Sequence, residues 1–288
     1  MQGLILRRKE KHYEAQGAKI KVDYLTDHGQ YHAAHWHNEL EMIYLLNGNA
    51  KIVLDGQSIQ LVQGEFIVID AGRIFELQCK ESFMQIRVHI DKEFLAARTG
   101  NLSGSGEVLN RRYACQRGDL RHEQLEPFLQ TCELFRQLVP LYINEPDGYL
   151  LKTESIVLDI LYHLVQDFSE QVPGSALPEI SQDQKRIRNI LEYIENHYRD
   201  PVSLADISRE FGLSREYFSR LFHKNIGITL SEHLIRVRIA HFYHDLVTTD
   251  DPVMELLEKN GLTNYKQFSR TFKELYGYTP RALRKIIL

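Results

Sequence analysis

Cysteine is scarce: three residues in 288, Cys79, Cys115 and Cys132, with no CxxC or paired spacing among them. This excludes a disulfide framework and a zinc knuckle, and makes a reducing, cytoplasmic setting the default expectation. No stretch approaches the roughly 18 consecutive apolar residues a membrane span needs, so no membrane partner is expected. Met1 to Arg8 lacks the apolar core and small-residue cleavage site of a signal peptide. A phosphate loop, a GxGxxG fingerprint and a nucleophile triad are all missing, so neither a cofactor nor an enzymatic activity is predicted.

What is present suits a soluble globular protein of about two domains, with 43% hydrophobic and 26% charged residues. The formal net charge of −4 would by itself argue against nucleic acid, but it is unevenly spread. Residues 181–288 hold 17 basic and 14 acidic side chains, a net of +3, against 18 and 25 in residues 1–180, a net of −7. Such asymmetry suits a nucleic-acid-binding module joined to a separate sensing domain.

Residues from about 20 to 100 read as a small β-barrel. Short β-branched runs, such as Glu65-Phe-Ile-Val-Ile-Asp and Met84-Gln-Ile-Arg-Val-His-Ile, are separated by turn signals at Gly48-Asn49, Asp55-Gly56, Gln63-Gly64 and Ala71-Gly72. The polar run NLSGSG at 101–106 closes the region as a loop. From about 121 to 170 the period turns helical. Leu125, Phe128, Leu129, Cys132, Phe135 and Leu138 form one stripe, and Ile156, Leu158, Ile160, Leu161, Leu164, Val165 and Phe168 a wider one. The wider stripe must be covered by the barrel, the first helix or a second subunit. The segment QVPGSALPEISQ at 171–182 reads as a linker. The boundaries expected are therefore 1–172, a linker at 173–183, and an all-helical unit at 184–288. The fold class is α+β.

The strongest pattern is an internal repeat. Phe218-Ser-Arg-Leu-Phe-His-Lys-Asn-Ile-Gly-Ile-Thr recurs as Phe268-Ser-Arg-Thr-Phe-Lys-Glu-Leu-Tyr-Gly-Tyr-Thr, keeping Phe, Ser, Arg, Phe, Gly and Thr in register. Each copy carries the parts of a helix-turn-helix. In the first, Ser203 caps a helix at 204–210, Gly212 makes the turn, and Ser214 caps a second helix at 215–224. Leu213, Phe218, Leu221 and Phe222 form its buried face, which leaves Arg215, Glu216, Ser219 and Arg220 outward. In the second, the supporting helix spans 253–259, Gly261 turns and Asn264 caps. Phe268 and Phe272 anchor that helix, while Tyr265, Lys266, Ser269 and Arg270 point out. A helix offering Arg and small polar groups suits the DNA major groove. Residues 231–247 form a linker helix of roughly 25 Å, long enough to hold two such helices about one DNA turn apart. A chance repeat in a plain amphipathic bundle does not explain why caps, turn, aromatics and arginines recur together.

At these residues the chain resembles the AraC family of bacterial transcription regulators, over 185–288. The resemblance rests on Ala-Asp-Ile-Ser, Phe-Gly-Leu-Ser and Phe-Ser-Arg-Leu-Phe, then on Phe-Ser-Arg-Thr-Phe-Lys and Gly-Tyr-Thr-Pro. It implies base-facing roles for Glu216, Ser219 and Arg220, then for Tyr265, Lys266, Ser269 and Arg270. Three positions depart from the family pattern: Leu230 replaces a proline, Leu257 an alanine and Leu262 a phenylalanine. The second unit is therefore expected to pack less tightly. The resemblance also implies a homodimer formed through the helices after the barrel, RNA polymerase as a partner, and a small-molecule effector such as a sugar.

In the N-terminal half, Gly29-x5-His35-Trp36-His37-x3-Glu41-x6-Gly48 matches the first cupin motif at each spaced position. The second should end in Pro-x-Gly-x2-His but reads Asp70-Ala71-Gly72-x2-Phe75. Without that last histidine no metal is expected, although a three-ligand site at His35, His37 and Glu41 stays open. The alternative reading is an effector pocket in which His35, Trp36, His37, Glu41 and Tyr44 meet the ligand, with Phe66 as a further wall. These side chains could equally satisfy one another at the barrel mouth.

Three functions compete on these grounds. The first is a sequence-specific regulator of double-stranded DNA, an activator answering to a small molecule. The second is a metal-dependent cupin enzyme with a C-terminal interaction module. The third is a regulator that responds to a protein partner.

Overall fold

The structure is a computed structural model and describes residues 19–27, 29–91, 93–95, 113–115, 120–168 and 181–287. The expected loop at 101–106 lies outside the described residues, as does nearly all of the expected linker at 173–183.

Nine described strands form two antiparallel sheets. They are β1 (Ile20–Asp27), β2 (Gln30–His35), β3 (Leu40–Asn47), β4 (Asn49–Leu54), β5 (Gln57–Val62), β6 (Phe66–Ile69), β7 (Phe75–Cys79), β8 (Phe83–Ile90) and β9 (Tyr113–Cys115). The orders are β1-β8-β3-β6-β9 and β2-β7-β4-β5. The four turns expected from Gly48, Gly56, Gly64 and Gly72 all form, each glycine at positive φ. Strand β9 was not foreseen.

Side-chain alternation divides the barrel into two cores. Ile43, Leu45, Ile67, Ile69, Phe75, Leu77 and Ile52 fill the space between the sheets. On the outer face of the larger sheet, Met42, Tyr44, Phe66, Val68, Ile86 and Val88 pack under two helices, α1 (Leu125–Asn144) and α2 (Tyr149–Asp167). Phe128, Cys132, Phe135 and Leu138 of α1 meet Ile156, Val157, Ile160, Leu161 and Leu164 of α2 there. The wide stripe of α2 is thus covered by the barrel and by α1. Leu125 and Leu129, expected inside the α1 stripe, are 39% and 52% exposed. Both sit on the edge of the stripe that turns away from α2 and the sheet.

The C-terminal helices are α3 (Gln182–His197), α4 (Leu204–Glu210), α5 (Arg215–Ile226), α6 (Leu230–Thr248), α7 (Val253–Lys259), α8 (Tyr265–Tyr276) and α9 (Pro280–Ile287). Local chemistry sets their ends. The Ser203 side chain accepts from the Asp206 N–H, Ser214 from Tyr217 and Asn264 from Gln267. Ser181 with Gln184, and Thr229 with Glu232, form capping boxes. Both turns place their glycine at positive φ, 62° for Gly212 and 67° for Gly261, where a side chain would be strained. The first unit packs Phe218, Leu221 and Phe222 against Ile187, Ile190 and Ile194 of α3. The second packs Phe268, Phe272 and Tyr276 against Ile239, Phe242 and Leu246 of α6. The looseness expected of the second unit is absent. Leu257 and Leu262 are 4% and 7% exposed within that core, because neighbouring aromatics fill the space around them.

Candidate nucleic-acid interface and interdomain cavity

Helix α5 turns Arg215, Glu216, Ser219 and Arg220 to solvent and buries Phe218, Leu221, Phe222 and Ile226. Helix α8 turns out Tyr265, Lys266 and Arg270, leaves Ser269 half-buried, and buries Phe268, Thr271, Phe272, Leu275 and Tyr276. The periodicity follows from the sequence: apolar residues three and four apart share the inner face. Arg215 and Arg220 make no ion pair among the described residues, whereas Arg270 lies 3.4 Å from Glu274 one turn on. The turn of the second unit, 260–264, is one residue longer than that of the first, 211–214. Each unit thus presents a capped helix with an open polar head.

The cupin-motif residues separate into three places. Glu41 points between the sheets, 1% exposed, opposite His89 on β8. Its carboxylate meets the His37 Nε2 at 3.1 Å, Arg87 at 3.6 Å and His89 at 3.9 Å. Burial works to raise the Glu41 carboxyl, but Arg87, the His37 hydrogen bond and His89 outweigh it and hold the group well below the usual carboxylate range. Burial likewise opposes a charge on His37, yet Glu41 and Glu39 raise its pKa. His89, on the same cluster, is lowered by burial.

His37, Glu41 and His89 have donor atoms within 4.8 Å of one another, the spacing a metal site requires. His35 is not the third member, as its Nδ1 meets the Ala33 carbonyl at 2.8 Å and its ring packs on Phe75. Phe75 occupies the position where a cupin places its last histidine. Arg87 supplies the positive charge that balances Glu41, so a resident metal fits this donor set poorly. The same strand shows why Tyr44 is not a pocket residue. It lies three positions after Glu41 on one strand and so faces outward, where it stacks on Phe135 at 5.2 Å. Phe66 is likewise outside, stacked on Phe128.

His35, Trp36 and His37 instead border a cavity of about 760 Å³ between β2 and helices α3 and α6. Across it stand Glu195 and Asn196 of α3 with His233, His241 and Tyr243 of α6. Trp36 is a seam residue: its indole N–H donates to the Arg188 carbonyl at 3.2 Å, and the Arg188 guanidinium lies over its ring. Burial keeps His35 and His233 neutral, the latter pushed down to about 4. His241 and Glu195 pair at 2.6 Å.

Several of these residues were missed at the sequence level. Gln85, Arg87 and His89 alternate along β8, a pattern that reads as a solvent face until α1 and α2 are known to cover the opposite side. No sequence pattern brings α3 and α6 to β2, so Glu195, His233 and His241 could not be joined to His35.

Comparisons with known proteins bear on the two domains. Residues 207–286 match a helix-turn-helix domain family, and residues 24–84 match a cupin domain family. An uncharacterized HTH-type transcriptional regulator of Staphylococcus aureus (strain COL) is 22% identical over 248 residues, 86% of this chain and 31% of the relative. The chain therefore spans about a third of the length of that relative. The Msm operon regulatory protein of Streptococcus mutans is 21% identical over 249 residues, 85% of this chain and 83% of that protein. A crystal structure of ToxT from Vibrio cholerae O395, bound to (E)-4-(8-methylnaphthalen-1-yl)but-3-enoic acid, shares the fold. Its TM-score is 0.51 at 13% identity, covering 94% of this chain and 100% of that one.

Paired helix-turn-helix units behind a strand-rich domain are an organisation similar to that of DNA-binding transcription regulators. Two domains are shown by these matches: a helix-turn-helix domain over residues 207–286 and, on its N-terminal side, a cupin domain over residues 24–84. No described helix is long and apolar enough to cross a membrane.

Proposed function

We propose that this regulator reads double-stranded DNA with both α5 and α8 and activates transcription in the cytoplasm when an uncharged, hydroxyl-rich small molecule such as a sugar enters the interdomain cavity. The observation that carries the DNA reading is the pair of open helix heads. Arg215, Glu216, Ser219 and Arg220 stand on one, and Tyr265, Lys266, Ser269 and Arg270 on the other. Arg and Ser at such heads pair with base edges and phosphates. Effector contacts fall to His35, Trp36 and His37, with Glu41 behind His37 and Tyr44 withdrawn from the set. The imidazoles of His35 and His233, both with pKa lowered by burial, Asn196 and carboxylates supply donors and acceptors for hydroxyls. Among the described lining residues there is no lysine or arginine to hold an acid.

Because the cavity walls come from both domains, a ligand there favours one interdomain geometry over another, which is the basis for coupling effector to DNA. Exposed Leu125, Leu129, Leu150 and Leu151 on α1 and α2 offer an apolar face for a homodimer, and RNA polymerase is the partner through which activation would act. The test is binding of purified protein to its own upstream DNA against random duplex over a salt series. A preference for the upstream site that grows with a sugar in the buffer supports the reading; equal affinity for both duplexes ends it. A thermal-shift screen of neutral sugars and small carboxylic acids tests the effector separately. Stabilisation by an acid alone would overturn the ligand class.

A further inference from the structure

The two recognition helices end differently. An α-helix leaves its last carbonyls without intrahelical partners. At the tail of α8, the Gln78 side chain of β7 donates its amide to the Glu274 carbonyl at 3.1 Å and to the Leu275 carbonyl at 2.8 Å. Backbone also meets backbone here. A Cβ on Gly29 would lie 3.1 Å from the Tyr276 carbonyl, and one on Gly277 would lie 3.0 Å from that of Lys80. Both glycines hold positive φ, 151° and 80°. Among the described residues the tail of α5 has no such neighbour: a Cβ on Gly227 would meet nothing within 4 Å.

A second tie runs from the cavity to the same tail. Tyr243 of α6 lines the cavity, donates its O–H to the Gly29 carbonyl at 3.0 Å, and stacks face to face on Tyr276 at 4.3 Å. Nearby, Arg236 of α6 reaches Glu76 of β7 at 3.2 Å, with its guanidinium over the Tyr31 ring. The barrel therefore grips α8 at its tail and leaves its head free, while among the described residues its main contacts on the side of the first unit run through α3 and α6.

We propose that Gln78 and Tyr243 are positioning residues through which the barrel and its cavity set the angle of the second recognition helix, independently of the first. In this arrangement the cupin domain governs one of the two DNA contacts. The first unit anchors the protein, and the second engages or withdraws as the Gly29–Tyr243–Tyr276 seam shifts. The inference rests on the DNA reading proposed above.

The test uses the full chain and two variants that keep the packing, Gln78→Ala and Tyr243→Phe. Hydroxyl-radical footprints are taken on a duplex selected from random sequence by the unaltered protein. Tyr243→Phe loses one hydrogen bond of ordinary strength, which predicts roughly three- to ten-fold more protein for half-protection of the second half-site, and Gln78→Ala, which loses two, should need at least as much. The first half-site should be unchanged. Gln78→Lys, which can also donate to helix-terminal carbonyls, should restore the second. Hydrogen exchange without DNA supplies the independent arm, with residues 265–277 exchanging faster in the variants and 215–226 unaltered. Equal weakening of both half-sites, or no change in either, overturns the proposal. If the unaltered protein protects no duplex, the DNA reading fails, and the exchange comparison alone still decides whether the barrel holds α8. Equal exchange in both helices would then end the proposal.

Discussion

The two helix-turn-helix units share a repeat but not a support. The first leans on α3, whose Ile187, Ile190 and Ile194 close its core, and its recognition helix ends, among the described residues, with nothing against Gly227. The second closes on α6 with five buried aromatic rings, Phe242, Tyr243, Phe268, Phe272 and Tyr276, and its recognition helix ends against the barrel. The repeat thus encodes the helix-turn-helix shape itself, whereas the residues that differ decide what each unit packs against. Substitutions that looked like damage in the second unit, Leu257 and Leu262, are the packing of a unit with a different neighbour.

The widest test of this equality is a pair of large deletions. Phe218 and Phe268 are both fully buried at equivalent places. Phe218→Ala and Phe268→Ala should each cost about 3–5 kcal/mol, since transfer and cavity costs add. Denaturant melts of the two variants check this. A second unit that tolerated its deletion at under about 1 kcal/mol would restore the looser packing inferred from the departures in sequence.

Legibility followed range. Caps, turns and helix spans rest on residues a few positions apart, so Ser203, Ser214 and Asn264 were readable, and the helices at 204–210 and 253–259 appear at the expected residues. The strands between the expected turns were readable for the same reason. Placement across the chain was not. Tyr44 was grouped with Glu41 although three positions on a strand reverse the face, a point of parity the sequence did contain. Arg87 and His89 were hidden because β8 inverts the usual rule: its polar side faces the interior and its apolar side faces α1 and α2. The cavity depends on α3 and α6 docking onto β2, which leaves no local trace. His35, Trp36 and His37 were therefore found as a cluster but assigned to the inside of the barrel.

Acid should separate the units next. His233 is buried against Phe222 in the core of the first unit, and the described core of the second holds no histidine. Burial, with Arg236 and His35, depresses the His233 pKa to about 4, against a smaller opposing pull from Glu195. A folded pKa below the unfolded 6.5 means that the stability from the neutral ring is complete above pH 6.5 and lost as pH falls toward 4. The loss amounts to about 3 kcal/mol at most across that window. Hydrogen exchange at pH 7 and pH 4.5 should show 215–226 loosening before 265–277. His233→Leu should shrink the difference, and simultaneous loosening of both helices in the unaltered protein would remove the distinction.

On DNA the contrast should run through arginine. Arg220 makes no ion pair among the described residues, while Arg270 is held by Glu274 one turn on. Arg220→Ala is expected to cost about 1–3 kcal/mol of binding and to relax preference at one base position, as for a side chain that reads a base edge. Arg270→Ala should cost less, because its guanidinium must first leave a carboxylate. Competition binding against a panel of single-base variants separates the two. Uniform weakening by Arg220→Ala across the panel would mark it as a phosphate contact, and would move the sequence reading to Glu216 and Ser219.

The smallest effect bears on the supporting helices. Ser203 accepts from the Asp206 N–H at the start of α4, while Pro252, at the cap position before α7, offers no side-chain cap. Ser203→Ala removes an acceptor that one of the four unpaired N–H groups depends on, at about 1 kcal/mol. Pro252→Ala removes no acceptor and sacrifices only the rigidity of a fixed φ, at roughly 0.5 kcal/mol. Thermal melts of both variants resolve that gap. If Ser203→Ala proves as mild as Pro252→Ala, the cap contributes nothing that water does not replace. The first unit would then owe its stability to its packing on α3 and α6, and the asymmetry between the units would lie wholly in what each one rests on.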